Sequence, residues 1–294
     1  MTTKKYPLTN DCVFHIVFGR EETKNNLLYL LNTVFAEIGL PLTENVTIMN
    51  PIDYGEAVQV KSVVFDIKAK TSNDNLVNIE MQREDSSNYI SRSYIYLSRI
   101  HGEQLKKGDK YEQIKPTYGV SFLNFVIFKE FPDYINSLIP SFDKHKEYEI
   151  KDFQIVYIEM PKVPVIKKNS TAFEKLIYLL HNADRMEDEM ANEIVFEDPA
   201  LGQIYQDYLK INENHQFIAL IEAKEKFWRD TEARKDFIEA RKDFIKAEGK
   251  AEGKAEGKAE VVLRLMQRQF SATEIADMVG ITPAEVQQII ANQA

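Results

Sequence analysis

Residues 63–82 read VVFDIKAKTSNDNLVNIEMQ. Before the polar cluster Ser72 to Asn75, Val63, Phe65, Ile67 and Ala69 alternate with Val64, Asp66, Lys68 and Lys70. After it, Val77, Ile79 and Met81 alternate with Asn78, Glu80 and Gln82. A period of two on both sides of a turn-forming cluster predicts a β-hairpin. Folded about Asn73 or Asp74, the hairpin brings Asp66 opposite Glu80 or Gln82 on its polar face. Like charges opposed across strands destabilise a sheet. A cation between them would remove that repulsion, and hard oxygen ligands with room for water suit Mg²⁺. The same groups could also simply face water on an exposed hairpin.

Outward from the hairpin, helices and strands alternate. Residues 9–19, TNDCVFHIVFG, place Val13, Phe14, Val17 and Phe18 at helical spacing, with Thr9 or Asn10 as N-cap and Gly19 at the stop. A second helix is predicted from about Glu22 to Ile38, striped by Leu27, Leu30, Leu31, Val34 and Phe35, and ended by Gly39-Leu40-Pro41. Strands dominate from about Val46 to Gln82, and a third helix spans about Ser87 to Leu105. The apolar run Pro116–Phe128 fits one long buried strand, and Gln154–Glu159 reads as the last. This order predicts an α/β sandwich around a mixed sheet.

Past Pro164 the pattern is all-helical. Thr171 to Glu174 forms a capping box ahead of Phe173, Leu176, Ile177 and Leu180, and another helical stretch covers about Pro199 to Trp228. EARKDFI occurs at Glu232–Ile238 and again at Glu239–Ile245, a seven-residue spacing that suits a helical seam. From Ala247 the text becomes AEGK repeats, whose glycines and like charges at i,i+4 predict a marginal helix or flexible linker. The tail carries two capped helices about Gly280, a helix-turn-helix layout. Its second helix, AEVQQIIANQ, has no Lys or Arg, so phosphate anchoring is missing there. Arg264 and Arg268, one helix earlier, could supply it; packing or oligomerisation is the other use of such a unit.

The chain has 294 residues, enough for a full core plus appendages, with 44% apolar and 28% charged residues. One cysteine, Cys12, excludes an intramolecular disulfide and a multi-cysteine zinc site. The start, MTTKKYPLTND, has no apolar segment of the secretory type, no apolar run is long enough to span a bilayer, and a cytoplasmic location is expected. Net charge is −9, which weighs against strong non-specific DNA binding by the body as a whole. Lys61, Lys68, Lys70, Arg83, Arg92 and Arg99 nevertheless cluster around the hairpin in sequence. The five histidines show no ligand spacing. No Ser-His-Asp arrangement, Walker loop or GxGxxG stands out.

Asp66 on one strand, with Glu80-Met81-Gln82 on its neighbour 14 positions later, resembles the active-site pattern of the PD-(D/E)XK nucleases, with Gln82 in place of the usual Lys. The resemblance extends further. Asn10-Asp11 with Phe14 and Phe18-Gly19, Leu31-Asn32, the strand Phe65 to Ala69, Asn78 to Gln82, Arg92 and Tyr96, Glu103-Gln104 before Gly108, and the Ala-Glu-Gly-Lys tail are all similar to the Rpn family. That family is described as recombination-promoting nucleases or PD-(D/E)XK nuclease family transposases. The similarity covers about residues 6–165 and, loosely, the helical arm.

The resemblance implies a restriction-endonuclease-like core with a mixed central sheet at residues 1–165. An all-helical arm would follow at 166–246, an AEGK linker at 247–258 and a helix-turn-helix-like unit at 259–294. It implies Asp66 and Glu80 as ligands of Mg²⁺ or Mn²⁺, with Asp11 as a further acid or else an ordinary helix-start residue. Gln82 cannot accept a proton or offer a cation, but it can hydrogen-bond water or phosphate. Lys68 could bring the missing charge or remain a solvated strand lysine. Arg92 and Arg99, seven apart and hence on one face of the third helix, could contact phosphates, or could be solvated or pair with Glu103. The implied activity is metal-dependent DNA endonuclease action, with roles in recombination, mobile-element activity or defence. The two-heptad seam and the capped helical pair separately suggest a homo-oligomer joined through the arm. The competing reading is a catalytically degenerate nuclease fold that binds DNA or protein partners.

Overall fold

The computed structural model describes residues 5–49, 66–85, 88–167, 169–186 and 197–291, without the side chains of residues 232 and 235–256. Its centre is a six-stranded sheet in the order β1-β2-β3-β4-β6-β5. The strands are β1 (Val46–Ile48), β2 (Ile67–Thr71), β3 (Leu76–Gln82), β4 (Thr117–Leu123), β5 (Ile135–Leu138) and β6 (Phe153–Glu159). β3, β4 and β6 run parallel, while β1, β2 and β5 join antiparallel at the two sides, so the sheet is mixed. With helices on both faces this is the expected α/β core of restriction-endonuclease-like type.

The hairpin pivots at Asn73: Ile67 pairs with Ile79, Ala69 with Val77 and Lys70 with Leu76. Asp74 takes a positive φ of 63° in the turn, a conformation that a short polar side chain tolerates better than most. The Val63 and Phe65 half of the sequence pattern, and Lys61, lie outside the described residues.

On one face of the sheet lies the main core. α1 (Asp11–Phe18) starts at Asn10, whose Oδ1 accepts from Cys12 N at 3.0 Å and Val13 N at 3.2 Å. Residues 12–18 of α1 are all buried, as fits a helix apolar on nearly every side. Gly19 caps its C-terminus, and a side chain is excluded there because the His15 ring would lie 2.6 Å from a Cβ. α2 (Lys24–Glu37) lays Leu27, Leu30, Leu31, Val34 and Phe35 against Ile67, Ala69, Val77, Ile79 and Met81 within one buried cluster.

The opposite face is covered by α3 (Tyr89–Gly102), which crosses from β3 to the parallel β4. Tyr89, Ser93 and Leu97, at i,i+4 spacing, are its buried residues. Gly119 on β4 lets the helix lie close, since a Cβ there would sit 3.3 Å from Leu97 Cδ2. The hairpin's polar face is therefore roofed rather than open along its length: Asn78 is buried and Glu80 half-buried.

Two strand expectations need correction. The run Pro116–Phe128 is not one strand, because β4 stops at Leu123. Buried Glu159 takes the next residues out of the ladder: its Oε1 accepts from Ile127 N at 2.6 Å and Phe128 N at 2.9 Å. Lys162 Nζ, 2.6 Å from Glu159 Oε2, also donates to the carbonyls of Phe128 and Phe131, both at 2.7 Å. β5, an edge strand paired with β6, is the second difference; its INSL segment has too little alternation to read as a strand.

α4 (Ala172–Asn182) begins at the expected capping box, with Glu174 N donating to Thr171 Oγ1 at 3.1 Å and Thr171 N to Glu174 Oε2 at 3.0 Å. The predicted stretch Pro199–Trp228 is two helices, α5 (Pro199–Glu213) and α6 (His215–Gln267). Asn214 divides them, its Oδ1 accepting from Gln216 N at 2.9 Å and Phe217 N at 3.3 Å. α4 and α5 share the buried cluster of α1 and α2, and Tyr208 donates to Tyr6 O at 2.8 Å.

The chain divides into two compact units, residues 1–225 and 226–294. The AEGK segment has helical backbone within α6. In the second unit α7 (Ala272–Val279) and α8 (Pro283–Ala291) meet across Gly280, which has a φ of 68°, and enclose Val262, Ile275, Ala276 and Val286. Among the described residues, no helix is long and apolar enough to cross a membrane.

Candidate active site

The register that pairs Ile67 with Ile79 places Asp66, one residue before β2, opposite Glu80 rather than Gln82. Strand alternation then sends Asp66, Lys68, Asn78, Glu80 and Gln82 to the face that α3 covers. Burial pushes the Glu80 carboxyl above the ordinary glutamate range; Tyr89 pulls it back, Asp66 pushes it further up, and Arg92 and Asn78 oppose. Burial raises the Asp66 carboxyl too, and the Lys68 ammonium acts against that. The two acids are thus held together where desolvation and mutual repulsion both disfavour charge.

Donors converge on Glu80. Asn78 Nδ2 donates to Oε1 at 3.0 Å, Gln82 Nε2 donates to Oε2 at 3.2 Å, and the Tyr89 hydroxyl lies 3.2 Å from Oε2. The same hydroxyl lies 2.9 Å from Ser121 Oγ on β4. Its single proton is directed at both acceptors, the Glu80 carboxylate and the Ser121 hydroxyl oxygen. Beneath this pair, Ser93 and Tyr157 hydroxyls meet at 2.8 Å.

Gln82 is oriented from both ends. Arg92 Nη2 donates to its Oε1 at 2.9 Å, while its Nε2 faces Glu80. A guanidinium only donates and a carboxylate only accepts, so the amide has one consistent orientation. Arg92 also lies over the Tyr89 ring, 5.0 Å from its centroid, a favourable cation–π geometry.

The remaining sequence candidates separate. Lys68 shares the face of Asp66 and acts on it electrostatically. Arg99 bonds Glu103 at 2.7 Å through Nε and both side chains are exposed, the alternative foreseen for it. Asp11 heads α1, where its Oδ1 accepts from its neighbour Cys12 N at 2.9 Å, and its charge acts on Lys224. Among the described residues no three His, Cys, Asp or Glu side chains converge as a metal site, so Asp11 does not form a triad with Asp66 and Glu80.

Sequence reasoning missed Tyr89, Ser121 and the part of Asn78. Asn78 was visible as one of three alternating polar residues on β3. Tyr89 was findable through its i,i+4 relation to Ser93 and Leu97; nothing local marked Ser121.

The donor set suits a hard divalent cation. Two opposed carboxylates are present, and Asn78 Oδ1 is buried with no hydrogen-bond partner while its amide nitrogen is engaged by Glu80. Oxygen ligands of this kind favour Mg²⁺ or Mn²⁺ over softer ions.

A family model described as PD-(D/E)XK nuclease family transposase matches residues 8–237, more than half of the chain. No curated protein and no solved structure matches it significantly.

Proposed function

Because the chain belongs to the PD-(D/E)XK nuclease family transposases, we propose that it is a DNA endonuclease dependent on Mg²⁺ or Mn²⁺, with Asp66 and Glu80 as the metal ligands. The observation that carries this reading is the opposition of Asp66 and Glu80 across β2 and β3 beneath α3. A divalent cation bound there would lower the pKa of a coordinated water and offset charge on the phosphate.

The chain's own groups prepare that chemistry. Asn78 and Tyr89 fix the two Glu80 oxygens from opposite sides. Gln82 has a second amide hydrogen and a second carbonyl lone pair beyond its two bonds, so it can orient water or phosphate. In hydrolysis the water oxygen bonds to phosphorus, and the ester bond breaks with its electron pair on the leaving oxygen. The proton released by water reaches that oxygen through solvent. Phosphates beyond the reacting one would be met by Lys68, and by Arg99 only on leaving its pair with Glu103; homo-oligomerisation would use the helical arm.

Incubating supercoiled plasmid with the purified protein, with and without Mg²⁺ or Mn²⁺, tests the reading. Nicking or linearisation that requires metal and vanishes in Asp66→Ala and Glu80→Ala is the expected result. A folded Asp66→Ala protein that still cleaves would refute the assignment. A non-catalytic interaction role is the second reading, favoured by Gln82 where the family name has Lys and by the net charge of −9. It would leave DNA intact while the acidic residues remain essential to nothing but metal binding. The helix–turn–helix arrangement of α7 and α8 would then be the place to look for DNA or protein binding.

A further inference from the structure

We propose that Arg92, delivered from α3 and held by the side-chain carbonyl of Gln82, supplies the positive charge for which a lysine at position 82 would otherwise be required. The proposal rests on the nuclease reading above and assigns within it the source of the missing cation. Glu80-Met81-Gln82 falls on the (D/E)XK part of the family's name with an uncharged amide at the end. The structure places a guanidinium directly behind that amide: Arg92 Nη2 to Gln82 Oε1 is 2.9 Å, and Gln82 Nε2 to Glu80 Oε2 is 3.2 Å. The chain carboxylate–amide–guanidinium links the proposed metal ligand to a permanent cation through one residue.

The geometry around Arg92 supports placement rather than mere solvation. The residue is half-buried, and its guanidinium lies above the Tyr89 ring, which itself reaches Glu80 through its hydroxyl. Two separate contacts, one to Gln82 and one to Tyr89, therefore fix the same cation beside the same carboxylate. A guanidinium has five donors and this arrangement names one of them, so others remain to meet a phosphate oxygen. Arginine does not lose its proton in proteins, so Arg92 stabilises charge developing on phosphate and takes no proton from water. Gln82 is then a positioning residue, and Lys68, on the neighbouring strand β2 beside Asp66, is not needed for this charge.

The test is a double-mutant cycle on the full chain, comparing wild type with Arg92→Ala, Gln82→Lys and the double variant. Single-turnover plasmid cleavage, Mn²⁺ affinity by calorimetry and melting temperature are measured on all of them. Loss of one well-placed charge donor typically costs about 100-fold or more in rate, so Arg92→Ala should fall by that order while still melting cooperatively. In the Gln82→Lys background the same change should cost less than about 5-fold, because the lysine brings its own cation. Arg92→Lys should recover part of the rate. Mn²⁺ affinity should hold or rise in Arg92→Ala, since a competing cation has been removed. Equal losses in both backgrounds would overturn the proposal while leaving the nuclease reading intact. A fall in Mn²⁺ affinity together with a collapsed melting transition would also overturn it, since Arg92 would then be structural. Wild-type protein that neither cleaves DNA nor binds Mn²⁺ would instead refute the nuclease reading on which the proposal rests.

Discussion

Acidification should destabilise the protein through His15, and the size of the effect follows from its burial. The ring is fully buried within α1 and packed over Gly19, and burial holds its pKa down at about 4 against 6.5 for the free side chain. Between those values the unfolded chain binds a proton that the folded chain does not. The stability contributed by neutral His15 is complete above pH 6.5 and is lost as pH falls toward 4. At 1.36 kcal/mol per unit, the loss is about 2 kcal/mol at pH 5 and about 3 kcal/mol at pH 4. Asp66 and Glu80 act in the opposite sense, because their raised values favour the folded state as they protonate. The His15 contribution is isolated by comparison with His15→Leu, an apolar side chain of similar size. Urea denaturation of both proteins from pH 7 to 4 should show the wild type losing the extra amount. Parallel pH dependences would refute the reasoning, because a His15 that protonates freely in the folded state contributes no slope.

Other perturbations follow from single contacts. Gly19→Ala should cost roughly 1–3 kcal/mol in denaturant melts, because the new Cβ meets the His15 ring at 2.6 Å and both are enclosed; unchanged stability would mean that the ring moves freely. Tyr89→Phe keeps the ring under Arg92 but removes the hydroxyl that favours ionised Glu80, so the acid limb of the cleavage profile should move to higher pH. A profile that does not move would detach Tyr89 from Glu80. A chain ended at Ile166 retains Asp66, Glu80, Gln82 and all six strands yet loses Phe173, Leu176, Leu201, Ile204 and Tyr208 from the main core. It should fail to melt cooperatively, whereas a chain ended after Glu225 keeps that cluster and should fold; equal melting of the two would refute this packing argument.

The hairpin was legible because its turn cluster and alternation are both local, and the pairing of Ile67 with Ile79 follows from the turn once its pivot is fixed. α1 and α2 were legible for the same reason: caps and apolar spacing lie within a few residues of each other. What escaped depended on distant partners. β4 ends at Leu123 although Phe125 to Phe128 remain apolar, because Glu159, 32 residues beyond Ile127, binds that backbone instead. β5 exists through its pairing with β6, and INSL alone carries no signal for it. In the site, Asp66 and Glu80 were visible from spacing on neighbouring strands. Arg92 was visible as a cation, but its bond to Gln82 depends on how α3 lies across the sheet, which the local pattern does not specify.

That last dependence separates this site from one with a lysine on the strand. A lysine at position 82 would carry its charge wherever β3 goes. Here the charge belongs to α3, and its position depends on the helix lying flat on β3 and β4. Gly119 permits the close approach, Leu97 rests against it, and Tyr89 and Ser93 bond to Ser121 and Tyr157 across the same seam. A substitution at Gly119 adds bulk two strand positions from Ser121 and touches none of the proposed ligands. Its Cβ would stand 3.3 Å from Leu97 Cδ2, so the Leu97 side chain must give by a few tenths of an ångström, and any shift passed along α3 would loosen Arg92 from Gln82. The Gln82→Lys background, with its charge on the strand, should tolerate the same substitution better. Gly119→Ala assayed for single-turnover cleavage in both backgrounds would expose the difference. Equal losses would mean that the seam sets stability alone and that the helix has no hold on the charge.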